Sequence, residues 1–185
     1  ETHPNMPGNR VNVLASSPKN PNCVWVGTTN NGVGKCIYDN GQFRFESFKA
    51  GAGKGELTNN NIRALLEDKD GYVWIGTQHG LNRYNSSTGN MEHFYYSKSD
   101  TTSINDNVIN VIYEDSNGDL WIGSNAGLNK KVERNGKVGF KPYPKFDRID
   151  SDIILNVLED NHKNLWIGIY NGIVKFDLNE EKVVH

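Results

Sequence analysis

The chain has 185 residues, room for one sizeable domain or two small ones. Its formal net charge of −2, with 23% charged residues, lacks the imbalance that nucleic acid or an acidic membrane surface would select. No apolar run approaches the ~18 residues a membrane span needs, and 19 glycines against 6 prolines suit a tight-turned all-β chain better than a helical bundle. Neither a nucleic-acid partner nor a membrane contact by this segment is expected. The sequence opens at Glu1 with no signal-peptide pattern, and reads as a piece of a longer protein or a mature chain.

In chain order, the first predicted unit covers about 9–50 and contains "NCVWVGTTNNGVGKC" (22–36). Cys23 and Cys36 fall on neighbouring predicted strands, as a cross-strand disulfide or as two free, partly buried thiols. Two cysteines at this spacing make neither a disulfide framework nor a zinc site. The second unit, about 57–98, is the clearest. "IRALL" (62–66) is a strand and "DKDG" a turn; "YVWIGT" (72–77) is a strand and "QHG" a turn; "LNRYN" (81–85), the turn "SSTG" and "MEHFYYS" (91–97) complete it. The third, about 104–145, carries "INDNVINVIYED" and then "GDLWIGSNAGLNKK" (118–131). The fourth, about 149–185, carries "IDSDIILNVLED" and "KNLWIGIYNGIVKF" (163–176).

These units are copies of one another. The four tryptophans, Trp25, Trp74, Trp121 and Trp166, are separated by 49, 47 and 45 residues. Glu-Asp pairs at Glu67-Asp68, Glu114-Asp115 and Glu159-Asp160 each place Asp six positions before Trp. The first copy lacks the pair and has about two extra residues there, as terminal repeats often do. Along "VWIGT", Trp74 and Gly76 point one way while Val73 and Ile75 point the other, so both faces are apolar. Four antiparallel strands repeated about every 47 residues and packed on both faces describe a β-propeller blade; a β-solenoid would have shorter coils. The predicted fold is all-β, a single propeller region over 1–185 with four four-stranded blades, an arc or fragment of a larger propeller. Trp25, Trp74, Trp121 and Trp166 are expected to pack between blades. Gly27, Gly76, Gly123 and Gly168 are expected to let the adjacent sheet approach closely.

Little in the sequence is reactive. The Glu-Asp pairs are the only tempting acids, but neighbours on a strand point to opposite faces, and a residue that recurs in three units suits a turn role. There Asp would accept hydrogen bonds from the amides that follow. "DSNGD" (115–119) lacks calcium-loop spacing and its distant bidentate Glu. The Asp-box of sialidases differs in spacing, and the arginine cluster and tyrosine nucleophile cannot be placed. His3, His79, His93, His162 and His185 have no ligand spacing, so no metal or other cofactor is expected. No serine sits in a nucleophile elbow. No glycine-rich phosphate loop opens a helix. Binding is different. The turn after "WIG" varies from copy to copy and offers Asn31, Gln78, His79, Asn125, Tyr170 and Asn171 as candidate ligand residues. Amides with an aromatic ring suit sugar hydroxyls, though ordinary turn chemistry explains the same residues. Arg63, Asn110 and Asn156 in the first strands are candidate channel-lining positions.

"NNIRALLEDKDGYVWIGTQHGLNRYNSSTGNMEHF" resembles the two-component regulator propeller repeat: an apolar segment ending in Glu-Asp, then Gly-x-Leu-Trp-Ile-Gly-Thr, Gly-Leu and Arg-Tyr-Asp. The third copy has Lys130-Lys131 at Arg-Tyr, and the fourth has Lys175-Phe176-Asp177. "SKSDTTSI" (97–104) resembles the linker between blades without its proline. The resemblance covers about 10–182. It implies the periplasmic sensor region of an inner-membrane hybrid histidine kinase of the Bacteroides type, binding a glycan fragment, regulating polysaccharide utilisation and doing no catalysis itself. A glycan-processing hydrolase or lyase, or a plain interaction scaffold, are the alternatives. Four blades cut from a wider ring would leave two apolar faces exposed, so self-association through them is expected.

Overall fold

The structure is a computed structural model describing residues 6–53, 55–143 and 153–184. The predicted junction between the third and fourth units (145–149), His3 and His185 lie outside the described residues. Every described element is a strand. Each hairpin turns where the sequence places Gly, Asn or Asp. Asn40-Gly41 and Asn135-Gly136 have positive φ at both residues, the conformation of two-residue hairpin loops.

The chain divides into two compact units, Glu1–Phe94 and Tyr95–His185. The first holds two antiparallel meanders. One is β1 (Val11–Ser16), β2 (Cys23–Thr28), β3 (Val33–Asp39) and β4 (Gln42–Phe48). The other is β5 (Ile62–Glu67), β6 (Tyr72–Thr77), β7 (Gly80–Asn85) and β8 (Met91–Phe94). The second unit repeats the plan with β9 (Ile109–Glu114), β10 (Leu120–Ser124), β11 (Gly127–Arg134) and β12 (Lys137–Pro142). Its last meander is β13 (Ile154–Glu159), β14 (Asn164–Ile169), β15 (Gly172–Asp177) and β16 (Lys182–Val184). We call the four sheets blades 1 to 4.

Within each unit the two blades stack face to face. In the first unit, Trp25 and Val33 of blade 1 pack on Ile62, Leu65, Val73, Ile75 and Tyr84 of blade 2. In the second, Trp121 and Leu128 of blade 3 pack on Ile154, Val157, Leu165, Ile167 and Phe176 of blade 4. The rule is the same in both: the Trp/Gly face of one blade meets the Val/Ile face of the next. Strand alternation makes both faces available, which is why the central strand is apolar throughout.

The glycines in these faces do not all behave alike. A Cβ on Gly27 would lie 2.6 Å from Ile62 Cγ2 of blade 2 and 2.6 Å from Val13 Cγ1. On Gly123 it would lie 2.5 Å from Val111 Cγ1 and 2.6 Å from Ile154 Cγ2 of blade 4. At Gly168, in blade 4, the nearest atom is Asn156 Cβ of the same blade, at an ordinary 3.5 Å.

Cys23 and Cys36 are free. Cys23 pairs with Ile37 across the ladder and Val24 with Cys36. Cross-strand partners share a face, so the two thiols sit on opposite faces of blade 1. The cross-strand disulfide is therefore excluded by register, leaving the two free thiols.

Candidate functional site

The recurring acid of blades 2, 3 and 4 forms a latch. Asp68, buried at the end of β5, accepts hydrogen bonds at Oδ1 from the amides of Asp70 (3.0 Å) and Tyr72 (2.9 Å). Its Oδ2 accepts the indole N–H of Trp74 at 2.8 Å. Asp115 does the same for Asn117, Asp119 and Trp121, and Asp160 for His162, Asn164 and Trp166. The spacing of six follows: one carboxylate ties the turn with one oxygen and anchors the next strand's buried indole with the other. A buried indole N–H needs such a partner.

The glutamate before it points the other way and reaches the preceding blade. Glu67 of blade 2 accepts the indole N–H of Trp25 in blade 1 at 2.7 Å. Blade 1 has Ser17 where the others have Asp, so its tryptophan takes its acceptor from the neighbour. Glu159 of blade 4 accepts the Ser116 amide of blade 3 at 2.7 Å and also holds the Ser116 hydroxyl. Lys163 joins this group, and with Tyr113, Asp160 and Asn161 it lines a shallow cleft of about 300 Å³.

Directly across the ladder from each tryptophan stands a cation: Lys35, Arg83, Lys130 and Lys175 lie 5.3–5.7 Å from the ring centroids of Trp25, Trp74, Trp121 and Trp166. Lysine in place of arginine keeps this cation–π contact.

Three carboxylates of the second unit titrate below their usual range. Hydrogen bonds from the ammonium groups of Lys141 and Lys130 bring Glu181 down to about 2 from 4.5. For Glu159, burial opposes the shift, but the hydroxyl and amide of Ser116 and the charge of Lys163 outweigh it. For Asp160, burial is likewise outweighed by donors from Trp166, Asn164 and His162. A carboxylate whose pKa is depressed by folding contributes stability that is full above its unfolded value and lost as pH falls through its folded value. The melting temperature of the second unit should therefore be level from pH 7 to about 4.5 and fall between there and about pH 2. Circular-dichroism melts across that range check it; a melting temperature unchanged at pH 2.5 would contradict it.

The variable residues gather at the opposite end of each blade, where a repeated β-bulge shapes the surface. In every blade the ladder between the first and second strands skips one residue: Asn12, Arg63, Asn110 and Leu155. A bulge leaves its residue unpaired and re-aims the side chain. Asn12 donates to Ile62 O of blade 2 at 2.8 Å, and Asn110 to Ile154 O of blade 4 at 3.0 Å. The same residues meet the turn between the second and third strands. Asn110 donates to Asn125 at 2.9 Å, and Arg63 reaches Gln78 at 3.3 Å. In blade 4 the bulged residue is Leu155, so Asn156 is not the counterpart of Arg63 and Asn110; it belongs to the Trp/Gly face with Ala64 and Val111.

The candidate turn residues are all solvent-exposed: Asn31, Gln78 and His79 in the first unit, and Asn125, Tyr170 and Asn171 in the second. The turns themselves are fixed beneath them. Thr28, Thr77 and Ser124 each donate to the carbonyl of the following Gly and accept an amide from the turn. Blade 4 has Ile169 there, and its turn presents Tyr170, 69% exposed. Among the described residues no three His, Cys, Asp or Glu side chains form a metal-holding group.

Four-stranded meanders stacked face to face are blades of a β-propeller, and solved propellers share the arrangement. More narrowly, residues 56–79 and 103–126 match the sequence model of the two component regulator propeller family, so the chain carries repeats of that kind in blades 2 and 3. Histidine kinase P4 of Formosa agariphila is 30% identical over 175 residues, which is 92% of this chain and 12% of that protein. The extracellular domain of a hybrid two component system from B. thetaiotaomicron is 24% identical with a TM-score of 0.73, over 95% of this chain and 25% of that one. Virginiamycin B lyase from Staphylococcus aureus shares the fold at 16% identity and a TM-score of 0.65, over 98% of this chain and 56% of the lyase. The chain thus spans about an eighth of the kinase it matches.

Proposed function

We propose that this chain is a non-catalytic, extracytoplasmic sensory segment of a hybrid two-component system, and that it takes a glycan fragment at the bulged ends of its blades. The observation that carries the reading is the division of labour within the repeat. The three recurring aspartates are consumed by the latch, and Glu67 and Glu159 by inter-blade contacts, while the residues that differ between blades are exposed and polar or aromatic. Sugar hydroxyls are recognised by amide groups that donate and accept and by rings that cover apolar faces. In the second unit Asn125 beside Asn110 and the exposed Tyr170 supply both chemistries; in the first, Gln78 beside Arg63 supplies the polar one. Family resemblance and the kinase relative support the setting: a periplasmic sensor region whose ligand biases the placement of propellers and so regulates polysaccharide utilisation. An enzyme reading would need Asp68, Asp115 or Asp160 as acids, and each of these already accepts an indole and two turn amides.

A thermal-shift screen against neutral and acidic oligosaccharides tests this. At least one should raise the melting temperature, and Tyr170→Ala or Asn125→Ala should abolish that shift while leaving the unliganded melt unchanged. No shift for any oligosaccharide, or a shift indifferent to both substitutions, would overturn the assignment.

A further inference from the structure

The turn amides at the bulged ends have a fixed polarity. An amide offers an acceptor on one side and donors on the other, and its hydrogen-bond partners decide which side turns outward. In blade 2 the partner of Gln78 is the Arg63 guanidinium, which can only donate. It holds Gln78 Oε1 at 3.3 Å, so the nitrogen of this exposed residue faces away from Arg63. In blade 3 the pin is a carbonyl. Asn110 Nδ2 donates to Ile154 O at 3.0 Å, which fixes that amide, and the same nitrogen holds Asn125 Oδ1 at 2.9 Å. Asn125, also exposed, therefore turns its own nitrogen away. Both turns end alike, with the oxygen held inward and the N–H groups presented outward. The two ends differ in charge. In the first unit, segments 7–12, 28–33, 57–63 and 77–80 meet at this end; they carry Arg10, Arg63 and His79 and no Asp or Glu. Glu56, next in sequence, turns its carboxylate onto the amide of Gly53 at 2.5 Å. The corresponding described segments of the second unit, 104–110, 124–127, 153–155 and 169–172, carry Asp106 and no Lys or Arg.

We infer that the bulged end of blade 2 takes an anionic oxygen group, the carboxylate or sulfate of an acidic sugar, on the outward N–H groups of Gln78 and in the field of the Arg63 charge. This rests on the glycan reading above and narrows it to acidic glycans. The oxygens of a carboxylate or sulfate only accept, so they match an outward N–H and would be repelled by the carbonyl of a reversed amide. A sugar hydroxyl both donates and accepts, and needs no fixed polarity. An amide held in one orientation by a guanidinium therefore selects for the anion, and the cationic balance of this end favours the same choice. Blade 3 has the same outward amide without the cation, so it serves as the uncharged form of the same device.

Isothermal titration calorimetry of the 185-residue chain with matched probes gives the test. One pair is a galacturonic acid oligosaccharide and its methyl ester; the other is a sulfated galactose oligosaccharide and its desulfated form. The acidic member of at least one pair should bind about tenfold or more tighter than its neutral twin, the usual scale for a hydrogen bond to a charged group. Its affinity should fall as salt rises. The pair that discriminates tells carboxylate from sulfate. Gln78→Glu replaces the outward donors with acceptors on an exposed side chain; it should abolish the preference while the unliganded melt stays unchanged. Arg63→Gln removes the charge and should flatten the salt dependence. Neutral members bound as tightly as their acidic twins, or a preference untouched by Gln78→Glu, would overturn this inference and leave the glycan reading standing. Binding of no oligosaccharide at all would overturn both.

Discussion

Trp121→Ala is expected to cost roughly 3–5 kcal/mol of stability, the range for removing a fully buried large aromatic residue. Trp121 is 0% exposed and lies against Tyr143 and Phe176, with ring centroids at 5.2 and 5.7 Å. The substitution empties the space between blades 3 and 4 and also strips Asp115 Oδ2 of its indole donor, which stands at 2.8 Å. Both effects fall on the same unit, so the denaturant midpoint of that unit is the quantity to measure. Trp166→Ala is the internal comparison. It makes the same hydrogen bond, to Asp160, but its ring is only half-buried, so its loss should be distinctly smaller. Equal losses at the two positions would show that the latch, rather than blade stacking, carries the tryptophan's contribution.

Gly123→Ala should destabilise by about 1–3 kcal/mol, the usual cost of forcing an extra carbon into a packed core. The new methyl would have to displace Val111 and Ile154 together, one from its own blade and one from the next. Gly168→Ala, the same change at the same repeat position in blade 4, meets nothing closer than 3.5 Å and should be close to neutral. The pair of melts separates a requirement of the blade from a requirement of the interface. If both variants lose stability equally, the glycine serves the strand itself and not the approach of the adjacent sheet.

Much of the fold could be read in the sequence because its signals are local. Asn-Gly and Asp-Gly pairs mark the hairpins, and the apolar run around Trp74 requires packing on both faces. The turn role of the recurring Asp was legible too, and its Oδ1 does accept the turn amides, but the reason for its spacing of six from Trp was not. Counting residues shows that Asp68 and Trp74 keep their distance; only coordinates show the indole donating to the carboxylate. The role of Glu67 was hidden for a stronger reason, since its partner Trp25 lies 42 residues away in another blade. The bulges were missed because an extra residue leaves the apolar alternation almost intact. That is how Asn156 was aligned with Arg63 and Asn110, when the skipped residue of blade 4 is Leu155. The candidate turn residues were identifiable as exposed and variable. Their bulged partners were not, because bulge and turn are joined through the ladder and not through adjacency in sequence.

The two kinds of contact made by the Glu-Asp pair also set an order of events during folding. The Asp-to-indole latch of blades 2, 3 and 4 closes a loop of six residues, whereas the glutamate contacts span 42 and 43. Short loops close fastest and distant contacts come later, because chain entropy must be lost before they form. Each of these blades is therefore expected to close its first hairpin on its own clock, with docking against the neighbour as a later and slower step. Blade 1 is the exception. Its tryptophan has no local acceptor and waits for Glu67 of blade 2, so blade 1 is expected to become ordered only after the blade that follows it.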